Sequence, residues 1–127
     1  MTTTASWTDD ELNAVGNAEE LEIASLRPSG AQSSWRTIWV VRVGDDIYVR
    51  SVNGLSSDWY RGTRARREGR IEAGGVTKDV VFVDADEEIN DAADAAYRRK
   101  YGHYAAPIIQ RITSGTASAT TMQIFPR

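Results

Sequence analysis

"WRTIWVVRVGDDIYVRSV", residues 35–52, is the stretch whose reading decides the fold. β-Branched and aromatic residues fill 35–43 and 46–52, and "GDD" makes a short hairpin-type connection between them. In the first strand Arg36, Ile38, Val40 and Arg42 share a face, opposite Thr37, Trp39, Val41 and Val43. In the second, Tyr48, Arg50 and Val52 oppose Ile47, Val49 and Ser51. Neither face is purely polar, which predicts cover on both sides of the sheet.

Working outward, "WTDDEL" (7–12) reads as a helix start. Thr8 is a good N-cap, Glu11 completes a capping box, and Trp7 with Leu12 occupies the hydrophobic-staple positions. Gly16-Asn17 ends that helix, "ELEIASL" (20–26) alternates as a strand, and "RPSGAQSS" (27–34) reads as a loop. Downstream, 57–68 predicts a helix capped by Ser56 or Ser57 and stopped at Gly69. "GRIEAGG" and "KDVVFVDA" predict two strands around Gly74-Gly75. Asp86 opens a helix whose Ile89, Ala92, Ala93, Ala96, Tyr97 and Tyr101 form one apolar stripe, stopped at Gly102. A loop with Pro107 precedes a closing strand over 119–127. About six strands with two or three helices, not regularly alternating, argue for a small α+β barrel. The length of 127 residues predicts one domain over 1–127.

Composition narrows the chemistry. The net charge is −3 and the pI about 5.1, so bulk electrostatics do not favour nucleic acid. There is no cysteine, which removes disulfides, thiolate metal sites and cysteine nucleophiles. With His103 as the single histidine, a zinc site would rest on carboxylates, so no metal is expected. Nothing near His103 resembles a nucleophile elbow. "MTTTASWTDD" has neither a basic n-region nor an apolar core, so no secretory signal is expected. No apolar run is long enough to span a bilayer, and the reading is cytoplasmic with no membrane partner.

The corner after the hairpin carries the functional signal. A phosphate needs donors at short range: a guanidinium fork, hydroxyls, and the free N–H groups at a helix N-terminus. Arg50 leaves the strand, Ser51 and Asn53 line the exit, Gly54 permits close backbone approach, and Ser56-Ser57 start the helix. Arg61 lies one turn inside, Trp59 and Tyr60 could wall a flat ring, and Arg36 sits on the neighbouring strand. The alternative is an ordinary Asn-Gly turn, a serine cap and a solvated arginine face. A second cluster, "YRRKYGHY" (97–104), extends the apolar stripe and suits a helix C-terminus.

"WVVRVGDDIYVRSVNGLSSDWYR", then "GRIEAGG", "DAAYRRKYG" and a last strand ending "FPR" resemble a bacterial family of unknown function, domain-of-unknown-function family 2255. The match runs roughly from Trp7 to Arg127. That family is similar to the flavin-binding split β-barrels, especially the deazaflavin-dependent nitroreductase group. There, a strand of the type "RYVVAS" leads through a Gly-containing loop to a "WYHN" helix start. Here "IYVRS", "NGLSSD" and "WYRG" follow the same order. The resemblance implies a six-stranded split β-barrel and a homodimer with two cofactor sites between subunits. It places Arg50, Ser51, Asn53, Ser57 and Trp59 at the phosphate corner and Arg36 as a neighbouring contact. Two departures stand out: "RPSGAQSSWR" replaces a basic "GRKSGKPR" loop, and "WYRG" replaces "WYHN".

Two functions compete. One is an oxidoreductase using FMN or a deazaflavin, in which the cofactor carries the hydride and the protein orients it. Tyr60, Tyr104 or Trp35 would then wall the substrate, and His103 would hydrogen-bond substrate or ring. The other is a cofactor-free barrel that binds a small ligand or a protein. An RNA-contacting barrel using "RGTRARREGR" (61–70) is a weaker third, diluted by the acidic remainder.

Overall fold

The structure, a computed structural model, describes residues 6–27 and 29–127. Residues 1–5, on which half of the signal-sequence expectation rests, and Pro28 of the predicted loop lie outside the described residues.

The first helix, α1 (Asp9–Asn17), starts as its sequence dictates. Thr8 Oγ1 accepts from the Glu11 N–H at 3.1 Å, and Glu11 Oε1 accepts from the Thr8 N–H at 3.0 Å. Trp7 and Leu12 enter the core, and Trp7 Nε1 donates to the Ile124 carbonyl at 2.9 Å. The chain continues as β1 (Leu21–Ser25), β2 (Arg36–Ile38), β3 (Val41–Val43) and β4 (Asp46–Val49). Then follow a 3₁₀ turn (Gly54–Ser56), α2 (Asp58–Arg66), β5 (Glu68–Ala73) and β6 (Val76–Asp84). After a 3₁₀ turn at Glu87–Ile89, α3 (Asn90–Tyr101), α4 (Ala106–Ile112) and α5 (Gly115–Ser118) lead into β7 (Met122–Pro126).

The architecture is α+β, with one antiparallel sheet in the order β2-β1-β5-β6-β7-β4-β3. β2 and β3 lie at opposite ends of that order, yet only Trp39 and Val40 separate them in the chain. Ile38 and Val41 are therefore at most roughly 11 Å apart. The two sheet edges converge, and the sheet curls on itself into a barrel-like shell. The expected long strand 35–43 is thus two short ones, and six strands become seven. β2 pairs with β1, whereas β3 pairs with β4.

The break has a visible cause. No strand takes the polar groups of Val40. Its N–H donates to Tyr101 Oη at 3.1 Å, and Lys100 Nζ donates to its carbonyl at 2.7 Å. Tyr101 Oη also lies 2.9 Å from the Glu19 carbonyl. The end of α3 thereby stands in for a missing ladder partner. Tyr101→Phe would leave the buried Val40 N–H unpaired and is expected to lower unfolding stability by about 1–3 kcal/mol, read by urea titration.

Side-chain alternation survives the break. Ile38, Val40, Ile47 and Val49 face the interior with Leu21, Ile23, Ile71, Phe82 and Ile124. Trp39, Val41, Val43 and Tyr48 face outward, where Tyr97, Tyr101 and Ala96 of α3 cover them. Two further expectations are corrected. α2 is ended by Arg67, at φ 65°, rather than by Gly69. Gly69 lies in β5, where a Cβ would meet the Ala24 carbonyl oxygen at 2.1 Å. Residues 106–118, read as loop, form α4 and α5, which raises the helix number above the two or three expected.

Burial pushes the hydroxyls of Tyr97, Tyr101 and Tyr48 above the ordinary phenol range. Unfolded tyrosines release protons near pH 10. Above that pH the folded state holds more protons than the unfolded one, so stability falls as pH rises. Lys100 acts oppositely between about pH 8 and the ordinary lysine value, since burial pushes its amine down to about 8. Three tyrosines outweigh one lysine, so the urea midpoint is expected to drop between pH 10 and 11.

Candidate functional site

Arg50 follows β4 on the outward face that Tyr48 shares. Its side chain is fully buried. Nε donates to Thr121 Oγ1 at 2.9 Å, and Nη1 donates to the Asp94 carboxylate and to the Ile112 carbonyl at 3.1 Å. Nη2 donates to the Asn90 carbonyl at 3.2 Å and to Asn90 Oδ1 at 3.3 Å. Five interactions occupy the fork, and the guanidinium also lies 5.3 Å from the centre of the Tyr97 ring. The expected phosphate anchor is therefore a structural tie between β4, α3 and the start of β7. A desolvated arginine already paired with a carboxylate has no donor left for a ligand.

Ser51 is buried too. Its N–H donates to Thr120 Oγ1 at 2.8 Å, and its hydroxyl to the Gly54 carbonyl at 2.8 Å. It shapes the corner and does not present its hydroxyl outward. Gly54 sits at φ 74°, with Thr116 Cγ2 2.6 Å from where a Cβ would be. α5 thus packs against the turn through a gap only glycine leaves.

A groove of about 680 Å³ opens beside this corner. Arg36 stands on its β2 wall, and Asn53, Ser57 and Trp59 form the corner side. Trp39 and Arg111 also line it, Arg111 arriving from α4, and so does Asp58 at the first position of α2, whose carboxylate is paired with Arg61. The Arg36 side chain is exposed and makes no hydrogen bond or ion pair with any described residue. Arg111 Nη2 donates to Asn53 Oδ1 at 2.9 Å. Ser57 is the N-cap of α2 but makes no side-chain cap bond, so the first-turn N–H groups are open to a ligand. Trp39 stacks on Tyr101 with ring centroids 4.0 Å apart, which fixes the plane it offers to the groove. The apolar side chains of Val52, Leu55 and Ile108 at or beside the opening are exposed. The groove therefore joins flat apolar walls to cationic donors at a helix N-terminus.

The structure brings Arg36, Asn53, Ser57 and Trp59 of the expected set together, with Arg50 reaching only the floor. The remaining residues lie elsewhere. Arg61 projects to solvent and pairs with Asp58 at 2.7 Å. Tyr60 is buried in the interior core, where its hydroxyl accepts from Arg64 at 2.8 Å, so it walls no substrate. His103 and Tyr104 sit outside the groove lining, beyond Trp39. Their rings are 4.5 Å apart, His103 Nε2 lies 3.6 Å from Glu19 Oε1, and the Tyr104 hydroxyl donates to the same carboxylate. Trp35 is exposed and does not line the groove. Arg111 was not legible in the sequence, because 106–112 shows no long apolar period to mark a helix. Among the described residues no group of His, Asp or Glu side chains could hold a metal ion. No helix among them is long and apolar enough to cross a membrane.

The curled antiparallel sheet and its flanking helices are the fold of the flavin-binding split barrels. An F420 reductase superposes with a TM-score of 0.57 at 13% identity, covering 95% of this chain and 94% of its own. A FAD-binding protein from Mesorhizobium loti gives 0.56 at 12% identity over 98% and 92%. A conserved hypothetical protein from Mycobacterium tuberculosis gives 0.59 at 12% over 100% and 84%. Identities this low show a shared fold. No curated protein matches the chain. The family is nevertheless fixed: residues 11–124 match the model described as an uncharacterized protein conserved in bacteria (DUF2255), and the chain belongs to that family.

Proposed function

We propose that this protein binds a flat, phosphate-bearing redox cofactor, FMN or a deazaflavin, in the groove and acts as an oxidoreductase on a small molecule. One observation carries the reading: Arg36 and Arg111 flank an aromatic-walled groove at the open N-terminus of α2. The residues fit such a group. Its phosphate meets two arginines, the Ser57 hydroxyl and first-turn N–H groups. Its ring meets Trp59 and Trp39. A volume of about 680 Å³ falls within the range of small-molecule sites. When bound, the cofactor supplies hydride transfer, so the chain needs no catalytic triad. This chain's part is to anchor the phosphate, hold the ring and exclude water from one face. The F420- and FAD-binding of the superposed proteins supports the same class.

A homodimer belongs to the same proposal. Val52, Leu55 and Ile108 are 37%, 63% and 46% exposed around the opening, and a second copy would cover them. The second reading, a cofactor-free module for a small ligand or protein, is favoured by the engagement of Arg50 with Asp94.

Titration of the purified protein with FMN and with a deazaflavin, read by equilibrium dialysis and visible absorption, separates the two. Saturable binding of either at micromolar concentration is the expected outcome. A colourless protein that retains neither would leave the cofactor-free module.

A further inference from the structure

A second pocket, of about 320 Å³, shares no lining residue with the groove. Ala96, Arg99 and Lys100 supply its α3 side at the i, i+3, i+4 spacing that puts three residues on one helix face. Arg42 of β3 faces them, with Gly16 and Asn17 from the end of α1. Three cations line this pocket and no acidic residue does.

Among the described residues, a single carboxylate lies within 4.0 Å of the three cations. Arg42 donates from Nε to the Gly44 carbonyl at 2.7 Å and from Nη1 to Asn13 Oδ1 at 2.8 Å. Among the described residues its only carboxylate contact is Asp45 at 3.5 Å, on a side chain that is 88% exposed. Gly16 seats it, since a Cβ there would lie 3.0 Å from Arg42 Cβ. Lys100 is half-buried, and its Nζ donates to the neutral Val40 carbonyl and lies 5.0 Å from the centre of the Tyr101 ring. Among the described residues it forms no ion pair, and Glu19 acts on it only from beyond 4.0 Å. The Arg99 side chain is exposed and makes no hydrogen bond or ion pair with any described residue.

Cations at the end of α3 are expected from the helix dipole. That accounts for Arg98, Arg99 and Lys100 as a run. It does not account for an arginine delivered to the same pocket from the facing strand. We propose that this second pocket is a binding site for a phosphate group, held by Arg42, Arg99 and Lys100. Burial lowers the Lys100 amine to about 8, with Glu19 raising it in part, and a bound dianion would hold that ammonium charged.

The test is calorimetric titration of the full chain with inorganic phosphate and, separately, with glycerol 3-phosphate, at constant ionic strength. Saturable binding is expected. Arg99→Gln, at an exposed position whose side chain has no partner among the described residues, should keep the fold and weaken binding at least about tenfold. The double change Arg36→Gln with Arg111→Gln, in the groove, should leave this binding in place. Tighter binding of the ester would assign a phosphorylated metabolite, and equal binding the free ion. Absence of saturable binding, or binding unchanged by Arg99→Gln, would overturn the proposal. So would its loss in the groove double variant.

Discussion

Arg50→Met is expected to lower unfolding stability by about 3–5 kcal/mol, because it leaves the Asp94 carboxylate without its partner. It also strips donors from the Ile112 and Asn90 carbonyls. A small domain holds about 5–15 kcal/mol in all, so this one change would consume a large share. The midpoint of thermal unfolding should fall by roughly 10 °C or more. Arg50→Met combined with Asp94→Leu should recover much of the loss, since an apolar pair of similar volume replaces the buried ion pair. Arg50 as a ligand anchor predicts the reverse: near-normal stability in the single variant and lost cofactor binding. Thermal melts of the wild type and the two variants decide between these roles.

The second large effect is on affinity. Arg36→Gln and Arg111→Gln are each expected to weaken FMN or deazaflavin binding by about tenfold to a hundredfold, as charge-assisted bonds to a phosphate are worth about 1.5–3 kcal/mol. Both side chains are exposed, and Arg111 loses only its bond to Asn53. The melting temperature should therefore stay within a few degrees. Arg61→Gln serves as the control. Its guanidinium points to solvent and meets only Asp58, so affinity should not change. Raising the salt concentration should weaken wild-type binding more than it weakens binding by the two groove variants.

Local rules made much of this molecule legible. The Thr8–Glu11 capping box and the Trp7–Leu12 staple appear as read, because their chemistry lies within a few residues. Alternation separated Ile38 and Val40 from Trp39 and Val41 in one strand, and Ile47 and Val49 from Tyr48 in the other, and the structure keeps both divisions. The same alternation put Arg50 on the face of Tyr48. That face is covered by α3, which is why the arginine is buried. Asp94, its partner, lies 44 residues away, and no local pattern announces a pair at that distance. The strand break at Trp39-Val40 was hidden for a similar reason. The hydroxyl that takes the Val40 N–H belongs to Tyr101, 61 residues on. The missing groove residue, Arg111, rides on a seven-residue helix too short to show a stripe.

The proposed site therefore lies one layer outside Arg50. The corner residues Asn53, Ser57 and Trp59 remain around the groove, and Arg36 remains on its neighbouring strand. What changes is the source of positive charge, which moves from the buried Arg50 to the exposed Arg111. A buried arginine in an ion pair and an exposed one beside a helix N-terminus look alike in a sequence. Burial alone separates them.

The most direct measurement is a crystal structure of the protein grown with saturating FMN. The expected density places the phosphate against Arg36, Arg111 and Ser57 and the ring against Trp59 and Trp39, with the Arg50–Asp94 pair unbroken. FMN phosphate bound to Arg50 with that pair opened would contradict it, and so would crystals in which the groove holds no FMN.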